Sequence, residues 1–144
     1  MHKFEITPHL GIGPIKLGMT RAEVNTCFGK PEFSGNGRVG YLSGFMIDFD
    51  ENDKVEFIEL AKSNKFAAFY KGINLHSVTA KQAVACVEND DEYDKESPEQ
   101  GYSYIFKKLQ LSLWRGTIAQ MDDNDDAPNG VSFEAIGIAV DGYF

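Results

Sequence analysis

Basic residues are scarce in this chain: Lys and Arg total 14 against 22 Asp and Glu, a formal net charge of −8. That excess repels a phosphate backbone and argues against direct nucleic-acid binding. It favours the approach of a basic partner, although the same charge also serves solubility alone. Histidine is sparse too, with only His2, His9 and His76. None stands at a metal-ligand spacing from another His or a Cys, so no metal site is assigned. Two cysteines, Cys27 and Cys86, suffice for one bridge. Both fall on apolar stripes of expected helices, which predicts two small buried thiols and disfavours a reactive thiolate. No apolar run approaches the roughly 18 residues of a membrane-spanning helix. Residues 1–10 lack the apolar stretch of a secretory signal, so a cytoplasmic location is expected. Gly11-x-Gly13-Pro14 is no phosphate cradle, because proline removes an amide donor that such a loop needs. Paired carboxylates could serve a hydrolase, but no spacing selects a pair. The expectation is a non-enzyme, with no catalytic residue and no cofactor.

What is present is a globular composition, 42% hydrophobic over 144 residues. A chain of this length buries roughly 68–70% of its unfolded surface, enough for a core without disulfide or metal. Two stretches open alike. Thr20-x-x-Glu23 and Thr79-x-x-Gln82 both read as capping boxes, in which the threonine hydroxyl and the third side chain satisfy each other's backbone amides. Val24, Cys27 and Phe28 follow the first cap at helical spacing, and Ala83, Cys86 and Val87 follow the second. Met19 is placed to staple onto Val24, while Gly29 and Pro31 end the first helix.

Extended segments are expected after the first helix at 38–42, 45–49 and 55–60. Others are expected at 66–70, 73–75, 102–106, 109–115 and 131–140. Within 109–115 the alternation points Leu109, Leu111 and Leu113 inward and Gln110, Ser112 and Trp114 outward. Gly137 interrupts the pattern of the last segment and suggests a bulge. The resulting expectation is an α+β fold of two tandem helix-plus-antiparallel-meander units packed with pseudo-twofold symmetry. The units span 1–62 and 63–144 and form one compact body.

Acidic motifs offer few matches to a cation site. Asp48-x-Asp50-x-Asn52 with Glu59 resembles a calcium loop, but Asp53 occupies the glycine position, and the surroundings alternate as a β-hairpin. The charge is also unevenly spread. Glu88, Asp90, Asp91, Glu92, Asp94, Glu96 and Glu99 share one segment, and Asp122, Asp123, Asp125 and Asp126 share another. Such segments either steer a basic protein into place or are simply solvated. Trp114, the single tryptophan, is either an interface anchor or covered by another part of the chain. Tyr93 is the second candidate anchor. The residues expected to meet a partner are therefore Asp90, Asp91, Glu92, Tyr93, Asp94, Glu96, Trp114, Asp122, Asp123, Asp125 and Asp126.

The run Gly11-Ile-Gly-Pro-Ile-Lys-Leu-Gly-Met-Thr-Arg-Ala-Glu-Val, closing on Phe28-Gly-Lys-Pro, resembles the opening of small α+β modules of the outer-membrane-assembly lipoprotein type. The resemblance covers roughly a seventh of the chain, and the absence of a signal sequence or lipidation cysteine near Met1 keeps their envelope role from carrying over. The acidic build, with Tyr102-Ser-Tyr-Ile-Phe and Leu111-Ser-Leu-Trp-Arg115, is similar to immunity proteins of contact-dependent growth inhibition and related polymorphic toxin systems. That resemblance implies a tight protein partner, commonly a basic nuclease toxin domain whose active site is occluded. The alternative is a small-molecule-binding or regulatory α+β module.

Overall fold

A computed structural model of the chain describes residues 1–35, 37–96, 101–116 and 132–144. Glu99, Asp122, Asp123, Asp125, Asp126 and Val131 lie outside the described residues. The elements run β1 (His2–Thr7), β2 (Gly11–Ile12), β3 (Ile15–Lys16), α1 (Arg21–Phe28), β4 (Phe33–Gly35), β5 (Arg38–Tyr41), β6 (Phe45–Phe49) and β7 (Val55–Ala61). They continue as β8 (Phe66–Tyr70), β9 (Ile73–Asn74), α2 (Ala80–Glu88), β10 (Ser103–Phe106), β11 (Leu111–Trp114) and β12 (Ala135–Ala139).

Both capping boxes form. The Thr20 hydroxyl accepts the Glu23 amide while the Glu23 carboxylate accepts the Thr20 amide, and Thr79 and Gln82 do the same. Each box satisfies two of the orphan donors that open a helix. Gly29, at φ 79°, closes α1 in the left-handed region that glycine enters without strain.

The strands build two sheets, a five-stranded one ordered β3-β2-β1-β8-β9 and a seven-stranded one ordered β10-β11-β12-β7-β6-β5-β4. This overturns the tandem helix-plus-meander α+β expectation. Helix makes up only 14% of the described residues and strand 41%. The strands that follow the two helices, β4–β7 and β10–β12, do not stay in separate units. β7 and β12 pair antiparallel from Ala61↔Ala135 to Phe57↔Ala139, merging both sets into one sheet. The pairing satisfies two rows of backbone groups that separate meanders would leave open at their edges. The second sheet lies outside the two expected meanders; residues 2–7, with Phe4 and Ile6 buried between exposed neighbours, supply its central strand. It forms when β1 pairs in parallel with β8, His2 opposite Phe66 through Glu5 opposite Phe69.

The core fills the space between the inner face of the large sheet, the small sheet and the helices. Phe45, Ile47, Ile58, Leu60, Leu111, Leu113, Ile136 and Ile138 cover that inner face and are fully buried. Phe45 is the hub of an aromatic cluster, with ring centroids 5.5 Å from Phe4, 4.8 Å from Phe28 and 6.0 Å from Phe66. The cluster thus joins β1, α1 and β8 to the large sheet.

Three local expectations also change. Gly137 makes no bulge, since β12 keeps register with β7 and β11 straight through it. Its lack of a side chain instead admits the Phe57 ring, which a Cβ there would meet at 2.7 Å. The register irregularity falls at Asp48/Phe49. Gln110 is buried, not outward, and sits at φ 53° in the turn before β11. Its amide oxygen accepts the Phe144 backbone N–H at 2.9 Å, and its nitrogen donates to the Lys107 carbonyl at 2.6 Å. Finally, Cys27 is exposed and Cys86 half-buried, both free. α1 is only eight residues long and buries one of them fully, Val24, so Cys27 faces out near its end.

Candidate functional site

Strand register places the outer face of the large sheet. Ser103, Trp114, Ala135 and Ala61 stand opposite one another across β10, β11, β12 and β7. One row over, Ile105, Ser112, Gly137, Glu59, Met46, Gly40 and Phe33 cross all seven strands. One row further stand Ala139, Phe57, Asp48, Arg38 and Gly35.

The C-terminus covers part of this face. Tyr143 stacks on Phe57 at 5.0 Å with planes 2° apart, and Phe144 meets the same ring edge-on at 6.0 Å. Phe57 is buried as a result. Among the described residues nothing comparable covers the row of Trp114, Ala135 and Ala61, and Trp114 is 42% exposed. Small alanines beside a large indole leave a shallow depression of about 450 Å³ lined by Glu59, Ala61, Trp114, Glu134 and Ala135. A methyl group on Gly116 would sit 3.2 Å from the Trp114 ring and 3.4 Å from Glu134 Oε2, so ring and carboxylate flank one point.

The charges around this depression are unequal. Arg38 is bound mainly to Asp48, at 2.7 and 3.1 Å, and reaches Glu59 only at 3.4 Å. The Asp48 hydrogen bonds hold the Arg38 guanidinium firmly in its charged form. The Lys62 ammonium donates to the Ser132 hydroxyl. Among the described residues, the Glu134 carboxylate has no ion-pair partner.

The first acidic segment is built differently, because several of its acids act as internal acceptors. Asp90 accepts the Tyr70 hydroxyl at 2.6 Å and the Lys71 ammonium at 2.7 Å. Lys71, with help from Tyr70, holds the Asp90 carboxyl below its ordinary pKa. Burial, and then the Asp90 carboxylate, push the Tyr70 phenol upward. Asp91 accepts the backbone amides of Lys108 and Leu109 at 2.9 and 3.2 Å. Asp94 accepts the Glu96 amide at 3.0 Å, and Lys107 stands 3.3 Å from its other oxygen. Both contacts lower the Asp94 pKa, the amide more. Tyr93 is half-buried, packed edge-on against Tyr104 at 5.0 Å with Lys95 over its ring at 5.3 Å. Glu92 and Glu96 remain exposed.

The calcium-loop candidate is a hairpin turn whose acids have other partners. Asp50 accepts the Asn52 and Lys54 amides, Asp53 takes a bidentate contact from Arg21, and Asp48 and Glu59 face Arg38. His76 Nε2–H donates to the Leu60 carbonyl, 3.0 Å away, and burial pulls its pKa down to about 4. The residues around it include neither cysteine. A second concavity, about 510 Å³, opens between Ile6–His9, Tyr70, Lys71, Asp90 and Leu109.

The alternation of 109–115 places Trp114 outward, and it is so. Glu59, Glu134, Ala61 and Ala135 carry no signal of their own, because they join Trp114 only through the register of β11, β12 and β7. Among the described residues, no helix is long and apolar enough to cross a membrane. No known family model, curated protein or solved structure matches the chain.

Proposed function

We infer that the chain is an immunity protein of a contact-dependent growth inhibition or related polymorphic toxin system. It binds and neutralises a cognate, basic, nuclease-type toxin domain by occluding it, and it acts in the cytoplasm without catalysis or cofactor. The observation that carries the reading is the half-uncovered outer sheet face. A large, exposed aromatic on a rigid strand, beside carboxylates, has the composition of an interface anchor for a basic protein. The chain's net charge of −8 adds long-range attraction for such a partner. Glu92 and Glu96 contribute outward charge to that field, whereas the charges of Asp90 and Asp94 are largely offset by Lys71 and Lys107.

The test is expression of the proteins encoded beside this reading frame, with and without the chain. The expected result is growth arrest relieved by this chain and a complex that co-purifies at low and moderate salt. Absence of both relief and complex overturns the reading.

A further inference from the structure

The partner reading says only that the other surface is basic. The trough beside Trp114 is more selective than that, and the inference that follows rests on that reading. A lysine ammonium is a compact, strongly hydrated charge. An arginine guanidinium is planar, more weakly hydrated, stacks on an aromatic face and bonds a carboxylate through two parallel N–H groups. Trp114 provides the aromatic surface, and tryptophan is the best ring for a cation. Ala61 and Ala135 provide apolar walls for the aliphatic stem. Glu134 provides a carboxylate with no ion-pair partner among the described residues, next to the ring edge across Gly116. Glu59 lines the other side, and its contact with Arg38 is long.

We propose that this trough is an arginine-binding site, which seats one arginine side chain of the partner against Trp114 between Glu59 and Glu134. Three cations of the chain near these strands are engaged elsewhere, Arg115 with the Gly101 carbonyl and the Phe133 ring among them. Arg38 is bound to Asp48 on the neighbouring row and Lys62 to Ser132. The rigid element beneath the site is the β11–β12–β7 pairing, whose inner face is fully buried core. The site is therefore already formed before a ligand arrives, which reduces the ordering cost of binding.

Trp114 is the only tryptophan, so its fluorescence reports on this trough alone. The probes are arginine and lysine residues blocked at both ends, titrated at constant ionic strength. A saturable change in emission is expected, with half-saturation for arginine about threefold or more below that for lysine. Glu59→Gln/Glu134→Gln should abolish the saturable change while leaving the far-ultraviolet circular dichroism intact. No saturable change, equal curves for the two probes, or an unaltered curve in the double variant each overturn the site. Free L-arginine serves as a further arm. Its carboxylate should weaken binding, and tighter binding than the blocked residue would mean that the trough takes an amino acid rather than a protein side chain.

Growth relief separates this inference from the reading beneath it. If the double variant relieves toxin arrest as well as the parent chain does, the arginine site fails while the immunity reading stands. If the parent chain relieves nothing, the immunity reading fails, and the fluorescence result decides the trough by itself.

Discussion

The two faces of the seven-stranded sheet carry the same pleat and the same register, yet they are finished in opposite ways. The inner face presents Phe45, Ile58, Leu60, Leu113 and Ile136, all fully buried. The outer face presents alanine, glycine, serine and charged residues together with Met46 and Ile105, two large aromatics that stay exposed, Trp114 and Phe33, and a third, Phe57, buried beneath the C-terminal Tyr143 and Phe144. Among the described residues, Tyr143 and Phe144 thus cover Phe57, while Trp114 and Phe33 stay exposed. Trp114 stands beside Ala135 and Ala61 on its row, which leaves the indole accessible to the partner that the proposed function requires.

That comparison can be broken most easily from the inside. Phe45→Ala removes the hub of the aromatic cluster, and the loss should be about 3–5 kcal/mol of unfolding free energy in urea titrations. A loss below about 1 kcal/mol would show that the cavity collapses and that the cluster is not the joint between the sheets.

The second lever is pH. His76 links the segment after β9 to strand β7 through the Leu60 carbonyl, and its folded pKa is about 4, below the ordinary 6.5 of a free imidazole. Burial is the main cause, with the Lys62 charge adding to it, against the opposing hydrogen bond to Leu60. Because the folded form resists protonation, the unfolded chain binds more protons in this window. Stability is therefore complete above about pH 6.5 and falls as pH drops towards 4. The ring is partly solvated, which limits the effect to about 1–2 kcal/mol. His76→Gln should flatten that part of the stability–pH curve relative to the parent, and an unchanged slope would remove His76 as its source.

The smallest effect is expected outside. Trp114→Ala should cost only about 1 kcal/mol, because the indole is 42% exposed and its covered part rests on small residues. A loss above about 2 kcal/mol would make the indole a structural cover and erase the contrast between the faces.

The acidic residues teach a related lesson. Composition reveals how many carboxylates a segment holds, but not where their oxygens point. Asp91 anchors the Lys107–Gln110 turn through two amides, and Asp90 ties Tyr70 and Lys71 to the end of α2. Such side-chain acceptors look the same in sequence as Glu92 and Glu96, which face solvent. The same limit applies to the cysteines. Helical spacing put Cys27 on the apolar stripe, yet α1 is short and packs through Val24, so the thiol lies outside.

Local chemistry determined the parts of this protein that depend on neighbours in the chain. These include both capping boxes, the glycine stop of α1, the Asp50–Asp53 turn and the outward direction of Trp114. Each involves groups within a few residues, where backbone geometry leaves few choices. Only the tertiary structure decided that β7 and β12 join two meanders into one sheet, that β1 and β8 make a second, and that Glu59 and Glu134 meet Trp114. Those pairings bring together residues tens of positions apart. They are selected by satisfying strand edges and closing one shared core, a condition on the whole chain that no short window contains.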